Sequence, residues 1–146
     1  MTCYVMVSVI SESVTGDIGD DWKYTITGTT TGDDGLPQHG SLTQDEHEIE
    51  PGAEAQDPPK PIGFTLNAGE CGGVANIALT IKATEVDWLF DDTGSTTRTV
   101  TINCPGPGAP RNSKTVDVSL TVKENPAILG GQAKLNLKLS IVAYCQ

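Results

Sequence analysis

The sequence has few aromatics, two Phe, two Trp and three Tyr in 146 residues, and no apolar run approaches the ~20 residues of a membrane-spanning helix. A transmembrane chain is therefore not expected. Basic residues are nearly missing from the first 57 positions, where Lys23 stands against twelve acids and the net charge is −11; the remainder sums to +1. Such a surface repels phosphate backbones, which excludes nucleic acid as an expected partner. A cationic ligand or a basic protein suits it better, and part of the charge serves solubility alone. No Cys-x-x-Cys spacing occurs among Cys3, Cys71, Cys104 and Cys145, so neither a zinc site nor a dithiol redox pair is indicated. There is also no Gly-x-Ser-x-Gly elbow and no Gly-rich phosphate loop opening a helix. His39 and His47 stand among Glu46, Glu48 and Glu50 without the His-Glu-x-x-His spacing of a metal centre, and both read as solvated loop residues.

What is present is alternation. Val5, Val7 and Val9 alternate with Tyr4, Met6 and Ser8 over 3–11, a strand in a mostly buried setting; Trp22, Tyr24 and Ile26 follow after a Gly/Asp turn at 13–21. Ile62, Phe64 and Leu66 mark another strand, then Ala75 to Ala83, Val100 with Ile102, Val116 to Val122, and Ala133 to Ile141. No stretch carries a helical period. Residues 31–61, rich in Gly, Pro, Asp and Glu, read as one long acidic loop, with at most a short edge strand near Glu48. The expected fold is all-β: an antiparallel β-sandwich of seven to eight strands, C2-like or immunoglobulin-like, as a single domain over 1–146.

If the terminal strands are antiparallel neighbours, Cys3 meets Cys145 and Cys71 is left with Cys104, one of three possible pairings. Disulfides would favour an extracellular or secreted setting, although no basic segment precedes the apolar Tyr4–Ile10 run and no cleavage site follows it.

The densest chemistry lies between Ala83 and Val100. Val86, Trp88 and Phe90 alternate with Asp87, Leu89 and Asp91, which predicts a strand carrying both large aromatics into the core and ending at an Asp91-Asp92-Thr93-Gly94 turn. The inward set shifts parity after Ala83, so a β-bulge is expected near Thr84 or Glu85. Glu85, Asp87, Asp91 and Asp92 then crowd one strand end, an arrangement relieved by a cation or a shared proton.

Two Asp-rich loops, Asp17-Ile18-Gly19-Asp20-Asp21 and Asp87 with Asp91-Asp92, together with the length and strand count, resemble a C2-type domain. The resemblance implies calcium held by Asp17, Asp20, Asp21, Asp87, Asp91 and Asp92, and calcium-dependent attachment to anionic membranes. The acidic N-terminal half, and loops that on the strand reading have neither a basic nor an apolar tip, oppose such attachment. A second, local resemblance is to the Asp-Thr-Gly-Ser turn of aspartic proteases, carried by Phe90-Asp91-Asp92-Thr93-Gly94-Ser95 with Ala127-Ile128-Leu129-Gly130. It implies a homodimeric protease with one Asp92 per subunit, although Asp91 adds a charge where that family has an apolar residue.

The expected function is a non-enzymatic binding or interaction module with an acidic, calcium-binding loop end. The alternative is a structural subunit of a coat, filament or matrix. In that case self-association would use the edge of the long last strand with its Lys134 and Lys138 face, or pair an acidic half with a near-neutral one, head to tail.

Overall fold

A computed structural model describes residues 1–32, 35–124 and 130–146. The Ala127-Ile128-Leu129 part of the protease-like element lies outside the described residues, as do Asp33 and Asp34. The described residues form eight strands: β1 (Cys3–Gly16), β2 (Asp21–Thr31), β3 (Pro37–Glu48), β4 (Gly63–Gly69), β5 (Val74–Glu85), β6 (Asp92–Asn103), β7 (Asn112–Lys123) and β8 (Gln132–Cys145). They form two four-stranded antiparallel sheets, ordered β4-β1-β8-β7 and β3-β2-β5-β6, packed as a sandwich.

Alternation produces this directly. Trp22, Tyr24 and Ile26 of β2, Ile77, Leu79 and Ile81 of β5, and Leu135, Leu137 and Leu139 of β8 all point between the sheets and are buried, while their polar neighbours face outward. β8 lies between β1 and β7, so the last strand has no free edge to lend, contrary to that assembly expectation. At one open side, β6 and β7 are stitched by side chains reaching across: Lys114 Nζ donates to the Thr101 carbonyl, and Asn112 Nδ2 to the Asn103 carbonyl. Such cross-links occupy edge acceptors that would otherwise pair with another chain.

Two departures from the sequence expectation concern the N-terminal half. The segment 31–61 is not one loop, because β3 runs through its middle and pairs with β2 from Thr31↔Pro37 to Asp21↔Glu48. Its inward positions include Gly40, Leu42 and Gln44, and a Cβ at Gly40 would stand 2.6 Å from the Phe64 ring. β1 also continues past Ser11 to Gly16, where a turn was expected. A register shift between Val9 and Ser11 moves its buried set from Val9 to Glu12 and Val14.

That shift buries a carboxylate completely. Glu12 is 0 % exposed; its Oε1 accepts from Tyr24 Oη at 2.8 Å, and its Oε2 lies 2.5 Å from His47 Nε2 and 3.0 Å from Gln56 Nε2. His47 Nδ1 faces the Asp45 carbonyl at 2.7 Å. His47 is therefore held between two acceptors rather than solvated, whereas His39 stays exposed beside Thr29. Burial, then the charge and hydrogen bond of Glu12, drive the Tyr24 phenol far above its ordinary value, so it remains a donor. Glu12 thus ties β1 of one sheet to β2 and β3 of the other, and a backbone bridge between Glu12 and Gln56 adds the segment after β3.

Two disulfides, Cys3–Cys145 and Cys71–Cys104, close the pole where β1 begins and β8 ends. Among the described residues, no helix is long and apolar enough to cross a membrane.

Candidate functional site

The opposite pole carries the acidic loops. β5 ends at Glu85 and β6 begins at Asp92, so residues 86–91 form the connection and Glu85 and Asp92 stand directly opposite each other across the hairpin. This corrects the strand expected at 86–90. No bulge interrupts the β5–β6 register near Thr84 or Glu85, and Asp92-Thr93-Gly94-Ser95 is the start of β6 rather than a turn. Trp88, Leu89 and Phe90 are 88, 62 and 55 % exposed instead of forming core.

The β1–β2 connection lies against this hairpin. β2 pairs with β5 through Trp22↔Glu85, the Val86 amide donates to the Asp21 carbonyl at 2.7 Å, and the Trp22 indole donates to the Gly19 carbonyl. Gly19 has φ of 143°, and a Cβ there would overlap Glu85 Oε1, so both its backbone conformation and its closeness to Glu85 require glycine.

Three carboxylates converge. Glu85, Asp87 and Asp92 each place an oxygen within 4.8 Å of the others, with Glu85 and Asp92 only 4 and 1 % exposed. Two full charges at that distance repel by roughly 3 kcal/mol at an effective dielectric constant of about 20. Glu85 responds: burial first, then the charges of Asp92 and Asp87, a hydrogen bond with Asp92 and the charge of Asp21 push its carboxyl up from 4.5 to about 7. Glu85 Oε2 is buried and has no hydrogen-bond partner among the described residues. An acceptor in that position is costly unless a proton or a cation reaches it.

Of the six residues expected to bind metal, Asp87 and Asp92 belong to this cluster. Asp21 adjoins it and acts on Glu85 through its charge. Asp91 Oδ1 accepts from the Asp87 amide and closes the 86–91 loop, while Asp87 Oδ1 accepts from the Trp88 amide. Asp17 is turned toward β8, where Oδ1 meets the Gln132 amide, and the Asp20 carbonyl accepts from Ile49. Glu85 was recognised among the crowded acids but was absent from the expected ligand set, which was drawn from the two Asp-rich loops; the signal that finds it is a carboxylate on the last residue of one strand facing another on the first residue of the next.

Three carboxylates supply up to six oxygens and no nitrogen or sulfur, a donor set that suits a hard cation. No protein-family model matches the sequence, and no curated protein or solved structure matches the chain. The two disulfides are compatible with an extracellular location.

Proposed function

We propose that this chain is a non-enzymatic, extracellular binding module whose acidic pole takes up calcium through Glu85, Asp87 and Asp92. The observation that carries the reading is Glu85 Oε2, a buried acceptor without a donor among the described residues, inside a cluster of carboxylates within 4.8 Å of one another. Calcium accepts six to eight oxygens at irregular angles, so partial protein coordination completed by water or backbone carbonyls is acceptable to it. Magnesium demands stricter octahedral geometry and gives up its water reluctantly, which makes it the poorer fit.

The ion's role follows from where its ligands sit. Asp87 lies in the 86–91 connection, whereas Glu85 and Asp92 are fixed at strand ends. A cation held by all three would fasten that connection to the sandwich and set the position of Trp88, Leu89 and Phe90. The test is the melting temperature of protein stripped with chelator, with and without millimolar calcium. A ligand that binds only the folded chain must raise it, and Glu85→Gln should abolish the rise. An unchanged melting temperature in saturating calcium would end this reading.

A further inference from the structure

Among the described residues, the large hydrophobic side chains left exposed are concentrated at the two ends of the sandwich. Trp88, Leu89 and Phe90 occupy the acidic pole, and Met1, Leu36 and Val74 the other; outside the poles only Met6 and Ile10 of β1 are comparably exposed. β5 runs from Val74 at one end to Glu85 at the other, 12 residues or roughly 40 Å of strand. Contiguous exposed apolar side chains rimmed by polar ones mark interaction surfaces.

The two ends differ in shape. At the acidic pole the apolar residues are consecutive and stand in the middle of a six-residue connection, so they form a projection. At the other pole there is a recess of about 510 Å³, with mostly apolar walls supplied by Met1, the Cys71–Cys104 disulfide, Pro105 and Pro107. The recess is broad and open to solvent on one side, and it has room for one aromatic side chain laid into it. Charge follows the same polarity. Asp87 and Asp91 flank the projection, both exposed. The recess end carries the exposed Arg111 and Lys114 at the start of β7, with Arg111 over the Tyr144 ring, against Glu70 on the rim.

We propose that copies of this chain associate head to tail, the Trp88-Leu89-Phe90 projection of one seated in the Met1/Cys71–Cys104/Pro105 recess of the next. Both halves of the contact are present on every molecule and lie at opposite ends, so the contact is heterologous and propagates as an open chain instead of closing a dimer. An anionic lipid surface is the poorer occupant, because Asp87 and Asp91 beside the apolar tip would be repelled by it. Three anchoring side chains make a small interface beside the roughly 1,200–2,000 Å² of stable complexes, so association belongs in the micromolar to millimolar range. The contact shares Asp87 with the calcium site proposed above, so association is measured in chelator, where it is read without the ion.

Sedimentation equilibrium in chelator tests it. The weight-average mass of the wild type is expected to rise with concentration from the 15.3 kDa of one chain through successive multiples. Trp88→Ala removes the largest side chain of the projection, at a position that is 88 % exposed. Gly72→Glu fills the recess where an added Cβ meets nothing within 4 Å, and it places a like charge opposite Asp87. Each variant alone should remain monomeric, and their equimolar mixture should stop at a one-to-one dimer, because one retains an intact recess with a disabled projection and the other an intact projection with a blocked recess. A wild type that stays at 15.3 kDa at millimolar concentration overturns the proposal. So does a mixture that stays monomeric, or either variant associating as the wild type does.

Discussion

Replacing Glu85 by glutamine should make the metal-free protein more stable above neutral pH while leaving it unchanged in mild acid. In the folded chain, burial and the neighbouring Asp92 and Asp87 charges raise the Glu85 carboxyl from 4.5 to about 7. Between those two values the folded state holds a proton that the unfolded state has released. The associated stabilisation is complete below 4.5 and is lost as pH rises through about 7. At about 1.4 kcal/mol per pH unit, the loss between about pH 5 and about pH 8 comes to about 2–3 kcal/mol. Glutamine carries no charge at any pH and has an amide that can donate to Asp92, so Glu85→Gln should show none of that loss. Urea unfolding in chelator, followed through the buried Trp22, gives the stability of both proteins across this range. The difference between them isolates Glu85 from the other carboxylates. Parallel pH profiles, or a variant less stable than the wild type at about pH 8, would refute the claim that a buried, crowded carboxyl sits at this position.

Other consequences concern what holds the two sheets together. Tyr24→Phe leaves Glu12 Oε1 buried without its donor, and unfolding free energy should fall by about 1–3 kcal/mol; an unchanged urea midpoint would contradict the cross-sheet clamp. Replacing both Cys3 and Cys145 by serine releases a constraint across a sequence separation of 142, and chain entropy puts the loss at up to about 5 kcal/mol. The Cys71 and Cys104 pair, separated by 33, should cost up to about 4 kcal/mol, and a loss below about 1 kcal/mol in either double variant would argue against these bridges as constraints.

The layered architecture was legible because most strands bury a strict every-other-residue set, as in Ala75 to Ala83 and Ala133 to Ile141. β3 was not, because its inward positions include a glycine that admits the Phe64 ring and a glutamine, Gln44, that bonds to the Lys60 carbonyl. Neither residue type signals burial. The extension of β1 was hidden for a related reason: after a register shift its inward residue is Glu12, whose burial is understandable only with Tyr24, His47 and Gln56 around it. Period-two reading failed at Val86 to Phe90 in the opposite sense. Apolar alternation there belongs to a connection that projects from the sandwich, and the cue was its carboxylates, since Glu85 and Asp92 pair as the last and first rungs of the hairpin. The crowding of acids at this point was visible in the sequence; which of them share a space depended on where β5 stops.

The most direct test of the acidic pole is a calorimetric titration of calcium into chelator-stripped protein near neutral pH. One saturable site per chain is expected, with proton release as calcium displaces the proton on Glu85, and with binding lost in Glu85→Gln. No saturable binding at millimolar calcium, or binding that survives in Glu85→Gln unaltered, would contradict the account.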